Sequence, residues 1–199
     1  MTIRREDRAR RAWAPLVLLG CLTLAIGCGD TGADREAAAR SARAAAAPDP
    51  SQWKVTEGAI GPVQIGMTIE EADAVLGGRL APEEPLDSAC DYVSARGVDA
   101  ELSFMVVGGR IARVDVRDST IRTQDGAGVG DTEDRVRKMY EGRVTAEPHK
   151  YVPRGRYLLV SPRDQADTTH LLLFETDGAR VTEFRAGRVP EVQWVEACG

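Results

Sequence analysis

Histidine occurs only twice in 199 residues, and aromatic side chains make up 5% of the chain. Imidazole chemistry would therefore rest on His149 or His170 alone. No G-x-S-x-G, H-E-x-x-H or P-loop pattern is present, so the sequence carries no local signature of a nucleophile elbow, a zinc peptidase or a phosphate cradle. The four cysteines include no C-x-x-C pair, which removes the usual spacing for dithiol exchange. Ser103 and Ser161 have no base near them in sequence. A basic stripe is also missing. Residues 1–27 hold five arginines against two acids, so the remainder carries −8 where the whole chain carries −5. An acidic body of this kind argues against nucleic-acid binding, which needs cations to neutralise phosphates. The reading is of a chain that does not catalyse and holds no cofactor or metal.

What is present begins with an Arg-rich start and an apolar run of 15 residues from Trp13 to Gly27. A membrane-crossing helix needs about 20 apolar residues, so this run suits the core of a signal peptide. An uncleaved anchor, or a secretory signal with a chance cysteine, would share the pattern. Beyond it, residues 29–50 are rich in Ala, with Pro48 and Pro50 at the end and no apolar stripe of helical period. A flexible tether of this length spans roughly 25–30 Å. The expected organisation is a signal peptide over 1–27, a tether over 28–50 and a folded domain over 51–199.

Cys90 and Cys198 form an even pair in a chain directed for export, and a disulfide between them is expected. The rival reading is a redox or nucleophilic cysteine.

The stretch "IGMTIEEADAVLGGRL" (65–80) clusters Glu70, Glu71 and Asp73. Its spacing predicts a short helix rather than an acidic site. Thr68 stands three residues before Glu71 in a capping box, Ile69, Ala72, Val75 and Leu76 make one apolar face, and Gly77-Gly78 stops the helix. An echo follows 64 residues on, in "VGDTEDRVRKMYEGRV". There Gly66, Thr68, Gly78 and Arg79 meet Gly130, Thr132, Gly142 and Arg143, while Glu71 and Asp73 become Arg135 and Arg137. Each stretch leads toward alternating apolar runs around a tight turn, Gly108-Gly109 in one case and Asp177-Gly178 in the other. Further strands are expected at 61–66, 90–94, 156–160 and 191–196, with loops at 81–89 and 118–128. The expected fold class is α+β, with two tandem helix-plus-antiparallel-sheet repeats (about 58–120 and 126–199) and short helices packed on one face of the sheet.

Two resemblances follow from these residues. Ala25-Ile26-Gly27-Cys28 resembles the lipobox of bacterial lipoproteins, which implies a diacylglyceryl group on Cys28 and a membrane contact through lipid. The competing "LLGC" at Leu18–Cys21 leaves a shorter apolar run before the cut. "IGMTIEEADAVLG" resembles the opening of BamE-like (SmpA/OmlA) lipoprotein domains and of the tandem-repeat β-lactamase inhibitory proteins, on Gly66, Met67, Thr68, Leu76 and Gly77. That resemblance implies a short helical turn leading into antiparallel sheet in each unit. No segment allows a partner-contact residue to be transferred from either family.

The candidate binding residues are those of "EPHKYVPRGRY", where His149, Lys150, Tyr151, Arg154 and Arg156 could form a patch, together with Trp194. Trp194 has two readings, a core residue against the disulfide or a recognition residue, since Trp, Tyr and Arg are favoured at interface hot spots. Asp164, Asp167 and His170 could group near a cation but lack a calcium-loop glycine. The expected function is a non-catalytic cell-envelope lipoprotein acting as a protein-binding or assembly module. An inhibitor of a secreted or periplasmic hydrolase is the alternative, and an envelope hydrolase a further one.

Overall fold

The computed structural model describes residues 49–80, 89–96 and 101–199. In chain order the strands are β1 (Lys54–Thr56), β2 (Ala59–Ile60), β3 (Val63–Gln64), β4 (Cys90–Ser94), β5 (Leu102–Val107), β6 (Arg110–Val116), β7 (Arg122–Thr123), β8 (Val144–Pro148), β9 (Arg156–Val160), β10 (His170–Thr176) and β11 (Val181–Arg188). Two helices intervene, α1 (Ile69–Val75) and α2 (Glu133–Met139). A seven-stranded antiparallel sheet runs β4-β5-β6-β11-β10-β9-β8, and a four-stranded sheet runs β3-β2-β1-β7. No described helix is long and apolar enough to cross a membrane.

This arrangement corrects the expected α+β class. Among the described residues strand far outweighs helix, and the helices do not form a layer on either sheet. Each helix has seven residues and buries one of them within its span, Ala72 or Val136. One buried position, extended by Leu76 or Tyr140 just beyond the helix, cannot cover a sheet. The long alternating runs around the two tight turns do that work. They zip together through β6 and β11, with Phe184 opposite Val116 and Ala186 opposite Val114, so they share one continuous sheet.

The echo between the helix openings survives as a repeated contact. Gly66 N–H donates to Ile111 O at 2.7 Å, Ile111 N–H returns to Met67 O at 2.8 Å, and Arg110 Nη1 donates to Gly66 O at 2.8 Å. In the second copy Gly130 N–H donates to Val181 O at 2.9 Å, Val181 N–H to Asp131 O at 2.8 Å, and Arg180 Nη1 to Gly130 O at 2.7 Å. Gly66 and Gly130 take φ of 94° and 88°, which explains why glycine recurs there. Thr68 and Thr132 cap their helices, but only Thr68 has the full capping box, because Arg135 replaces the acid at the matching position.

The large sheet has two unlike faces, as the two-residue strand period requires. One carries Phe104, Val114, Leu158, Phe174 and Phe184 into a core shared with Val55, Ile60 and Val63 of the small sheet. The other carries Tyr157 and Leu173, which pack on Val192 in a smaller cluster. Residues 191–196 do not form the expected strand. Pro190 leads into a 3-10 turn (Glu191–Gln193), and segment 189–199 crosses the second face as a strap. The expected disulfide is present between Cys90 on β4 and Cys198 on the strap, with Cα atoms 5.4 Å apart.

Candidate functional site

Beneath the strap lies a group of charges set by strand alternation. Arg113 and Asp115 point to the same side of β6, and Glu183 and Arg185 to the same side of β11, where Arg185 is paired across from Asp115. Glu175 on β10 completes the row. Arg113, Asp115 and Arg185 are each 3% exposed. Arg113 Nε stands 2.8 Å from Asp115 Oδ1, and Arg185 Nε stands 3.9 Å from the same oxygen. Arg185 Nη2 pairs with Glu175. Arg117, at the outer edge, pairs with Glu183 at 2.6 Å.

The strap is bound to this group through its backbone. Arg113 Nη1 donates to Glu191 O at 2.9 Å and to Trp194 O at 2.7 Å, while Arg185 Nη1 donates to Trp194 O at 3.0 Å. Arg113 Nη2 donates to Tyr92 Oη at 2.5 Å. Burial lowers the Arg185 pKa to about 10, with the Arg113 charge adding to it, and the group stays cationic at neutral pH. Burial raises the Glu183 carboxyl, and repulsion from Asp115 adds to that. Between the sheet and the strap a cleft of about 380 Å³ remains open. A larger groove of about 510 Å³ runs past Arg143, Ser161, His170 and Val189.

The residues proposed from "EPHKYVPRGRY" divide. His149, Lys150, Tyr151 and Trp194 come together around the strap. Lys150 Nζ and Tyr151 Oη both reach Glu196, two residues beyond Trp194 on the strap. His149 stacks on Tyr157 with ring centroids 4.5 Å apart, and its Nε2 lies 3.2 Å from Glu175. Arg156 alternates to the opposite side of β9 from Tyr157, and Arg154 packs its backbone against Gly178 at the β10–β11 turn. The five-residue patch is thus not a single surface. Trp194 is 36% exposed, so it is not a core residue packed on the disulfide. Cys28 lies outside the described residues. Asp167 pairs with His170 at 3.1 Å and accepts from Thr169. Arg143 pairs with Glu57 and Asp125 at 3.4 and 3.5 Å.

His149 is fixed as a neutral imidazole by its geometry. Its Nδ1 accepts the backbone N–H groups of Tyr151 at 3.1 Å and Val152 at 3.2 Å, so Nε2 carries the proton toward Glu175. Burial, then the Arg185 charge, lowers its pKa below the ordinary 6.5 despite the nearby carboxylate. The folded state then binds fewer protons than the unfolded one below that value. The stabilisation is complete above pH 6.5 and is lost as pH falls through the folded pKa. An NMR titration of the imidazole nitrogens should give a midpoint below 6.5 and a neutral Nε2–H tautomer. A midpoint above that value would mean that Glu175 dominates.

Sequence reasoning missed Arg113, Asp115, Glu175, Glu183 and Arg185. The sequence reading followed the apolar positions of these strands and gave the charged ones between them no role. The available signal was complementarity: "RVD" in β6 and "EFR" in β11 place opposite charges on the same parity.

No protein-family model matches the chain, and no curated protein matches it. Among solved structures, the uncharacterized protein YfeY from Escherichia coli is similar at 17% identity, with a TM-score of 0.32, over 68% of this chain and 99% of that one.

Proposed function

We propose that the protein is a non-catalytic, lipid-anchored cell-envelope module that binds a protein partner through the strap face of its large sheet. The observation that carries this reading is the placement of exposed apolar side chains. The large hydrophobic residues most exposed among the described ones are Tyr92, Tyr151, Val189 and Trp194, at 37%, 60%, 38% and 36%. Val189 and Trp194 belong to the strap, Tyr151 touches it through Glu196, and Tyr92 is joined to it through Arg113. Clustered exposed aromatics mark interaction surfaces more often than scattered ones do. The disulfide is in keeping with an exported domain. The lipobox-like Ala25–Cys28 and the tether supply the proposed anchor and its reach, and the BamE-like opening at Gly66–Gly77 agrees with an envelope lipoprotein.

Envelope extracts passed over immobilised full-length protein test the partner, with Tyr151→Ala/Trp194→Ala as the comparison. Retention of one protein by the parent and its loss with the folded double variant is the expected result. Retention unchanged by the double variant overturns the proposed surface. Mass spectrometry of the intact mature protein tests the anchor: a diacylglyceryl mass on Cys28 is expected, and an unmodified N-terminus refutes it.

A further inference from the structure

The loop between β8 and β9 (149–155) is folded around one imidazole nitrogen. His149 Nδ1 accepts the amides of Tyr151 and Val152 at 3.1 and 3.2 Å, and the neighbouring Lys150 amide donates to Tyr157 Oη at 3.3 Å. The His149 amide closes the base of the loop on Gly155 O at 3.0 Å. The ring is held in place, stacked on Tyr157 and with its side chain 9% exposed. The same loop carries Lys150 and Tyr151, the two side chains that reach Glu196 on the strap.

Nε2 already carries a proton toward Glu175, so the next proton enters at Nδ1. An imidazolium has two N–H donors and no lone pair, so no orientation of the ring accepts the two amides. Both regain a partner only when the loop lifts into water. The charges around the ring do not stabilise the cation in place. Glu175 on β10 favours it, but that carboxylate is shared with Arg185 of β11, whose own charge opposes a second one. Tyr157 on β9 and Tyr151 in the loop bring only hydroxyls, and Glu147, two residues back on β8, faces solvent. On the strap, Glu196 is paired with Lys150. Hydrogen bonds from Lys150 and Tyr151 hold the Glu196 carboxyl below its ordinary 4.5, so that contact is not what acid breaks between pH 6.5 and 4.5.

We infer that loop 149–155 is an acid-released latch: proton uptake by His149 frees the Tyr151 and Val152 amides and takes Lys150 and Tyr151 off the strap. Its effect on partner binding rests on the docking surface proposed above, since the latch sets the position of Tyr151 on that surface.

The test is NMR of the isotopically labelled full chain from neutral pH down to 4.5. Below pH 6.5 the protection of the Tyr151 and Val152 amides should fall about tenfold per pH unit, the slope of one proton taken up on opening. The Tyr151 ring should lose its nuclear Overhauser contacts to Glu196 over the same range. His149→Asn puts a carbonyl oxygen in the place of Nδ1 and cannot titrate, so it should keep the amides protected and the contact intact throughout. His149→Leu has no acceptor and should leave the loop open at every pH. Amides of β5, β6 and β11 check that both variants fold. Parent amides that stay protected down to pH 4.5, release in His149→Asn at the parent's midpoint, or a closed loop in His149→Leu would each overturn the latch. None of these readouts uses a partner. A failed latch therefore leaves the docking surface standing, and a docking surface refuted by the Tyr151→Ala/Trp194→Ala comparison leaves the latch.

Discussion

Replacing Cys90 and Cys198 together by serine is expected to lower the unfolding free energy by about 4–5 kcal/mol, on the chain-entropy account of a cross-link closing a loop of this size. The two residues are 108 positions apart, so the bridge removes a large share of the unfolded chain's freedom. The folded strap has other holds that survive the change. Val192 is fully buried against Tyr157 and Leu173, and the carbonyls of Glu191 and Trp194 still accept from Arg113 and Arg185. The double variant should therefore keep its fold at neutral pH. Its loosening should be confined to residues 195–199, which the bridge and the Glu196 contacts hold. Urea unfolding of oxidised parent and variant measures the loss, and amide exchange locates it. A change below about 1 kcal/mol would show that the unfolded chain is already compact enough for the bridge to constrain little.

Several parts of this architecture are legible in the sequence. The Gly108-Gly109 and Asp177-Gly178 turns joined alternating runs, and both became hairpins of the large sheet. Thr68 and Glu71 announced their capping box, and the cysteine pair announced its bridge. Other parts had no local signal. Strands β1, β2, β3 and β7 are two or three residues long, and β7 pairs only with the distant β1, Arg122 and Thr123 lying beside Lys54 and Val55. Such strands are products of tertiary pairing rather than of their own propensity. The segment "EVQWVE" alternates like a strand, yet it opens in a 3-10 turn over Glu191–Gln193 and pairs with no strand. It lies across a sheet face, where Val192 packs inward and Trp194 turns outward.

The charged row under the strap was hidden for the same reason. Alternation identified a second face on β6 and β11, and only the strap's position shows that this face is buried. Under the strap that face is dry, with Arg113 and Arg185 buried in it.

Asp115→Ala is expected to cost about 3–5 kcal/mol, because it leaves Arg113 and Arg185 buried beside each other without the carboxylate between them. Both arginines are 3% exposed, and Arg113 cannot swing out to water without releasing Glu191 O, Trp194 O and the Tyr92 hydroxyl. The variant should therefore lose the strap's docking along with global stability, and Trp194 fluorescence should shift at a lower urea concentration than the sheet's circular dichroism. Asp115→Asn keeps the shape and an acceptor but not the charge, so it should fall between the parent and the alanine variant. A buried ion group of this type is weak evidence for stability in itself, since apolar replacements of equal volume can serve as well. Combining Arg113→Met, Asp115→Leu and Arg185→Met separates the two roles. If the group only fills space, the triple variant recovers the stability lost in Asp115→Ala and keeps the strap in place. If the guanidinium groups fix the strap's register through the two carbonyls, the triple variant recovers stability in the main core while the strap amides exchange freely. The second outcome is expected, because Arg113 alone links the strap at two carbonyls and β4 at Tyr92.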